Sequence, residues 1–374
     1  MNIIRKLIWL TSIAFTHGLF LQPGMVQERQ SFQTFMGWCT NRENLAEDRK
    51  HTINALLEEL EADSCDVATQ LLHQKSSLAL EFHDIKNVEP LSSLTHLKEL
   101  NLFGNNIRNI APLRSLKGLE RLTLIKNPIQ DVEQLAVLEN LTELNLGNTG
   151  IQNISFVKSL PKLQKLKLHK NKVSDLSALS SLKNLEVLEL YENQIKDISP
   201  LAGLRDLEEL DLSDNNLIDT SPLAELNGLK SLALSGTNIR DISFLSDLKN
   251  LRDLHISRNR IENIRPIRDL ISLQGLFADS NQIQDISALS NLSELSSLSL
   301  PGNRITDVSP LSMLHSLTAL WLFDNQIKDV SSLSSLTNLK ILIVYNNPIK
   351  GTVCPVQPES ICSFETPLWR QIEP

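Results

Sequence analysis

From His83 to Asn347 the chain repeats one pattern every 22 residues, Leu-x-x-Leu-x-Leu-x-x-Asn-x-Ile-x-x-Ile-x-x-Leu-x-x-Leu-x-x, with no slip of register. One copy runs Leu207, Leu210, Leu212, Asn215, Leu217, Leu223 and Leu226, and the next Leu229, Leu232, Leu234, Thr237, Ile239, Ile242, Leu245 and Leu248. A unit this short cannot bury its apolar face alone, so the copies are stable only when stacked on one another. The period therefore constrains the chain to a solenoid, an elongated body with one long exposed surface for binding. At 374 residues a chain would ordinarily divide into two or three domains. A solenoid grows by addition and has no single centre, so the repeat overrides that expectation.

Within each copy the Leu-x-Leu pair (Leu100 and Leu102, Leu188 and Leu190, Leu320 and Leu322) alternates with period two and reads as a short strand buried on one face. Stacked copies give a parallel sheet with about 4.8 Å between strands, so a dozen steps span roughly 55–60 Å. After the strand comes a column of Asn105, Asn127, Asn171, Asn193, Asn215, Asn259, Asn281, Asn303, Asn325 and Asn347. The chain must turn there, and a buried amide that both donates and accepts can satisfy the freed backbone groups. His83, Thr149 and Thr237 occupy the same slot, and slightly looser turns are expected at the two threonines. Four residues further on, every copy carries Asp or Asn, from Asn87 through Asp219 to Asp329, often before Ser-Pro-Leu or a close variant. Such residues accept backbone N–H bonds at turns, which predicts short 3₁₀ turns on the convex side. The column is not a calcium ladder, since Asn substitutes freely and the spacing matches no calcium loop.

This pattern resembles the leucine-rich repeat superfamily, in its short 22-residue class, over about residues 75–350. That class includes the repeat domains of bacterial internalins and the leucine-rich regulatory subunit of type 1 protein phosphatase. The resemblance implies an α/β solenoid: a horseshoe or arc with a parallel β-sheet on the concave face, a 3₁₀ or irregular convex side and a helical N-terminal cap. It does not imply a partner, because one scaffold serves many. Internalins commonly continue into an immunoglobulin-like domain and a wall anchor, which are not seen here. Cysteine-capped repeat proteins of Gram-negative bacteria are the nearer analogy.

The net charge of −8 argues against a general binder of nucleic acid or anionic membrane. No phosphate loop, Cys/His metal spacing or His-Glu-x-x-His appears, so no cofactor or metal is expected. Arg5 and Lys6 precede an apolar run from Leu7 to Leu21, which reads as an export signal over residues 1–24. The run is too short for a comfortable membrane span. Four cysteines flank the repeats: Cys39 and Cys65 before, Cys354 and Cys362 after. Bridged Cα atoms lie within about 7 Å, so with ends more than roughly 50 Å apart only Cys39–Cys65 and Cys354–Cys362 can form. Such bridges persist in oxidising compartments, in keeping with export to a periplasm, a cell surface or the medium.

Both ends of a solenoid need covers to stay monomeric. Residues 25–74 are expected to supply a flanking segment, flexible to about residue 36, and a helical cap. Thr40 with Glu43 reads as a capping box ahead of a stripe of Leu45, Ile53, Leu56, Leu57 and Leu60, and a second helix should start at Ser64. Residues 351–374 form the C-terminal cap and tail.

The residues flanking the strand leucines face the concavity and are free to vary, so their content is informative. Phe103 lies near the start. Lys165, Lys167, His169 and Lys170 form a basic spot, followed by an acidic zone with Glu189, Glu192, Glu209, Asp211 and Asp214 beside Tyr191. These charges read equally as binding groups and as a solvated face whose opposite signs pair. Towards the C-terminus Phe277, Trp321, Phe323, Ile343 and Tyr345 form an apolar patch, either a partner site or a surface packed by Phe364 and Trp369. Asp253, His255 and Ser257 alternate on one strand, but an open sheet offers no oxyanion hole and no dry pocket, so no enzyme is expected. The sequence thus points to an exported, monomeric binder of a protein, with a surface glycan as second candidate because Trp321 and Phe323 could stack on sugar rings. The alternative is an intracellular regulatory subunit resembling the phosphatase regulator.

Overall fold

The computed structural model describes residues 32–351 and 353–365; the expected export signal and Trp369 lie outside them. Fourteen strands, from β1 (Ser77–Ala79) to β14 (Cys362–Ser363), form one parallel sheet in strict sequence order. Through the repeats each residue pairs with the one 22 positions on, as Leu100 with Leu122 and Leu232 with Leu254, and only the step onto the last strand is shorter, Leu342 meeting Cys362. Short 3₁₀ turns such as Ser221–Glu225 and Ser243–Asp247 carry the chain back along the convex side. Between the two layers the Leu and Ile columns are almost wholly inaccessible, and they run as one core from the N-terminal helices to Val356.

The asparagine column explains why the chain can turn so sharply. Asn215 donates from Nδ2 to the carbonyls of Leu190 and Leu212, both at 3.0 Å, and its Oδ1 accepts the Ile195 N–H at 2.9 Å. The same set recurs at Asn259, Asn281 and Asn303. Each amide thus ties its own turn to the preceding repeat. The residue just before the slot is left-handed in every copy, with φ of +54° at Lys126, +55° at Asp214 and +69° at Gly104.

Thr149 and Thr237 hold the turn differently. Their hydroxyls donate to Leu146 (2.7 Å) and Leu234 (2.6 Å), but they have no amide to reach into the repeat before. Ile129 N–H turns instead to the Asn127 carbonyl at 2.9 Å. Ile129 is 7 % exposed, while its counterparts Ile107 and Ile195 are fully covered. A second left-handed residue follows each slot that lacks Asn: Asp84, Gly150 and Asn238. These are residue types that tolerate φ > 0.

On the convex side Asp and Asn accept the N–H two residues ahead, as Asp197 from Ser199 and Asn153 from Ser155, each at 2.8 Å. Asp131 departs from this and accepts the Ile110 N–H at 3.0 Å, across to the neighbouring repeat.

The N-terminal cap holds three helices, α1 (Phe35–Thr40), α2 (Glu47–Glu59) and α3 (Cys65–Gln74). Here the structure corrects the expected capping box. Thr40 ends a helix, and its hydroxyl donates to the Met36 carbonyl at 2.8 Å. Thr34 is the N-cap, accepting the Gly37 N–H at 3.2 Å, while Glu43 pairs with Lys50. The expected flexible flank also ends earlier, because Phe35 and Trp38 are buried and Phe32 packs edge-on against Trp38. Ser64 caps α3 through the Val67 N–H. Both disulfides form as expected, with Cα separations of 5.7 Å for Cys39–Cys65 and 5.8 Å for Cys354–Cys362. The Cys354–Cys362 loop delivers β14 onto β13 (Ile341–Ile343) and closes the sheet. Among the described residues no helix is long and apolar enough to cross a membrane.

Asn215→Ala should cost about 3 kcal/mol, since it strands backbone groups at a site that is only 5 % exposed. Thr149→Asn should add about 1 kcal/mol by restoring the bonds to the Leu124 carbonyl and the Ile129 N–H. Urea unfolding followed by circular dichroism measures both.

Candidate functional site

In-register stacking places equivalent side chains in rows across the concave face, about one strand spacing apart. Aromatic rings at one position in neighbouring strands therefore stack. His169 lies on Tyr191 with centroids 4.7 Å apart and planes 3° from parallel. His255 lies on Phe277 at 4.5 Å, and Phe323 on Tyr345 at 4.7 Å. These stacks are ridges, and the short side chains between them leave two depressions. The first, about 520 Å³, lies over β6 (Val187–Glu189), β7 (Glu209–Asp211), β8 (Ser231–Ala233) and β9 (Asp253–His255), between Tyr191 and His255. The second, about 350 Å³, is floored by Ser299, Pro301 and Gly302 and walled by Phe277, Trp321 and Phe323.

Phe277, Trp321, Phe323 and Ile343 are half-buried, as befits a surface patch. Tyr345 is not part of the open surface: it is 4 % exposed, stacked under Phe323. Phe364, one of the two residues that the alternative reading has packing this patch, is partly buried against the core. At the other end Phe103 meets Phe82 edge-on at 4.6 Å, with the Lys126 ammonium 5.3 Å from the Phe103 ring. Phe82 was not foreseen. It is 65 % exposed and left-handed (φ +58°), and a Cβ on Gly104 would strike its ring at 2.6 Å. Its only sequence signal is being apolar in a row otherwise filled by Gly and polar residues.

The charged zones pair across strands, one of the two readings open from the sequence. Lys165 lies 3.4 Å from Glu143, Lys167 2.6 Å from Glu189 and Lys170 3.1 Å from Glu192. His169 Nδ1 is 3.3 Å from Glu189 Oε2, without the alignment of a full hydrogen bond among the described residues. The His169 ring and then Lys167 hold the Glu189 carboxyl below its usual value against the opposing effect of burial. Burial, followed by the Glu189 charge, pushes the Tyr191 phenol up. Asp211 accepts the Ser213 N–H at 2.8 Å, so its second oxygen remains outward.

Asp253, His255 and Ser257 make no hydrogen bonds to one another among the described residues. Ser257 Oγ accepts the Asp279 N–H, and the His255 ring is stacked on Phe277. No group of three or more His, Cys, Asp or Glu side chains among the described residues is arranged to hold a metal ion.

The family model for leucine-rich repeats, drawn as two copies, matches residues 95–137, 139–181, 183–225, 227–269, 293–334 and 315–353, more than half of the chain. The chain belongs to the leucine-rich repeat family. Among solved structures it is similar to the internalin InlF of Listeria monocytogenes, with 32% identity and a TM-score of 0.77 over 85% of this chain and 95% of that one. A leucine-rich repeat protein of Leptospira interrogans shares the fold at 24% identity and a TM-score of 0.61, covering 74% and 80% of the two chains. The functional domain of InlJ from Listeria monocytogenes does so at 21% and 0.63, covering 86% and 77%. No curated protein sequence matches the chain.

The convex aspartates supply a pH test. The Ser199 and Ser221 N–H groups, then their hydroxyls, hold Asp197 and Asp219 below the usual aspartate value. A depressed folded-state pKa contributes stability above the unfolded value, and that contribution is lost as pH falls through the folded one. The double variant Asp197→Asn and Asp219→Asn keeps the acceptors without the titration. It should lose less stability than the parent on acidification below about pH 4, read from thermal midpoints across the acid range.

Proposed function

We propose that this protein is an exported, monomeric leucine-rich repeat protein that captures a protein partner across its concave face. The observation that carries the reading is the depression walled by Phe277, Trp321 and Phe323. Half-buried rings around a small-residue floor are what a partner's apolar anchor needs, and Trp and Tyr dominate interface hot spots. A surface glycan is the second candidate occupant, because aromatic rings such as Trp321 and Phe323 can stack on sugar. The remaining concave residues, Phe103 with Lys165, Lys167, His169, Glu189, Tyr191 and Asp211, would extend the contact along the arc. No cofactor or metal enters the reading.

The two cap disulfides support an oxidising compartment and weigh against the intracellular regulator. Export itself rests on the sequence of residues 1–24. Fusing residues 1–40 to a reporter enzyme that is active only after export and disulfide formation tests it. Activity is the expected result, and silence from a stably made fusion would favour the intracellular alternative.

Trp321→Ala with Phe323→Ala should abolish partner capture and lower the thermal midpoint only slightly, through loss of the Phe323–Tyr345 stack. A lowered midpoint with capture intact would mean that these rings serve only to close the end of the core.

A further inference from the structure

The central depression differs in chemistry from the aromatic end. Across the first half of the concave face the charges neutralise in adjacent strands, as Arg121 with Glu99 at 2.7 Å and Lys167 with Glu189 at 2.6 Å. Beyond β6 it persists just past the strands, where Arg258 meets Asp214 at 3.0 Å, but it stops at the outward positions of the strands themselves. Glu209 pairs in register with Ser231, Asp211 with Ala233, and Asp253 with Gly275. Among the described residues no Lys or Arg lies within ion-pair distance of these three carboxylates. The short side chains beside them open the 520 Å³ trough, and the face of Tyr191 turned away from His169 forms its wall.

A negative rim, a backed aromatic face and a small-residue floor together fit one kind of group. A guanidinium can lie flat on a tyrosine ring while its N–H edge meets carboxylates in a fork. An ammonium would be attracted too, but it is a compact, strongly hydrated charge and cannot use the flat wall as well. The trough crosses three strand steps, about 14 Å, which is the run of a few extended residues.

We infer that the trough between Tyr191 and His255 receives an extended, arginine-bearing segment of the protein partner, with Glu209 and Asp211 as the paired acceptors and Tyr191 as the stacking platform. This rests on the reading of the concave face as the docking surface and names the chemistry it selects.

The probe is a fluorescein-labelled Gly-Ser peptide carrying paired arginines, compared with its citrulline twin, which keeps the shape without the charge. Binding to the full chain is read by fluorescence anisotropy at about 0.15 M salt, where exposed long-range attraction is largely screened. The arginine peptide should bind, and citrulline should weaken it roughly tenfold or more. Glu209→Gln with Asp211→Asn should have a similar effect, roughly tenfold. Tyr191→Leu should weaken binding about fivefold while Tyr191→Phe leaves it unchanged, the sign of stacking against a ring face. Glu225→Gln with Asp247→Asn removes the same charge from the convex side of that repeat and the next and should change nothing. Glu209 is exposed and Asn retains the acceptor that Asp211 offers Ser213, so thermal midpoints should match the parent.

No binding of the arginine peptide, equal binding of the citrulline peptide, or equal loss from the convex control would each overturn the assignment. The peptide reads the trough alone and the Trp321/Phe323 variant reads the aromatic end. Failure here is therefore distinct from failure of the concave-face reading.

Discussion

Everything in this fold depends on the buried side-chain amide that closes each turn. A 22-residue coil must bend away from the sheet within a few residues, and it does so where water cannot reach. Backbone groups left unpaired there would each cost on the order of 1–3 kcal/mol, repeated in every copy. One asparagine meets that cost with donors to two carbonyls and an acceptor for an N–H of the preceding repeat. Because its bonds cross between repeats, the amide joins neighbours as well as finishing a turn. The threonine slots show the converse: the hydroxyl satisfies its own turn but not the one before.

With turns and core settled by the Leu, Ile and Asn columns, the concave side chains carry no structural duty and interact with their row neighbours. The spacing of an in-register parallel sheet, about 4.8 Å, nearly equals the separation of stacked rings. That match is why His169 and Tyr191, His255 and Phe277, and Phe323 and Tyr345 form parallel pairs. Opposite charges at one position likewise meet across a single strand step, as Lys167 meets Glu189. The face is best understood as parallel rows in which each residue's state is set by the residues 22 positions either side.

This also accounts for what could be read in advance. The sheet, its register, the Asn and Asp columns and the disulfide pairing were legible because each is written many times or bounded by geometry. The first turn of the cap was not. Thr40 and Glu43 satisfy the capping-box spacing, yet Thr34 takes the role because burial of Phe35, Trp38 and Cys39 draws an extra helix out of the preceding segment. A local motif lost to a tertiary contact. The left-handed residues Asp84, Gly150 and Asn238 were visible letter by letter, but their meaning required seeing that each follows a slot without asparagine. On the concave face the columns were assigned correctly, yet exposure depends on neighbours. Tyr345 is aromatic at an outward position and is nonetheless only 4 % exposed, its ring stacked with Phe323.

The resulting face is graded along its length. Its first half is charge-compensated, its middle carries carboxylates without cations beside them, and its last third is aromatic. Compensated charges contribute little to affinity, since exposed pairs are worth about 0–1 kcal/mol and are already satisfied. On the proposed reading, binding energy comes mainly from the apolar end, where burial against a partner removes apolar surface from water. The uncompensated middle serves a different purpose. Carboxylates held apart from any cation are poorly satisfied while the face is empty, and they favour partners that bring positive charge to that spot over those that bring none. A net charge of −8 repels acidic surfaces in general, whereas the trough, as proposed, would set which basic segment docks and in which orientation. On that proposal, affinity and selection fall on different strands of one sheet. A repeat architecture makes that separation simple, because changing the residues of one row leaves the amide-bonded turns beneath it intact.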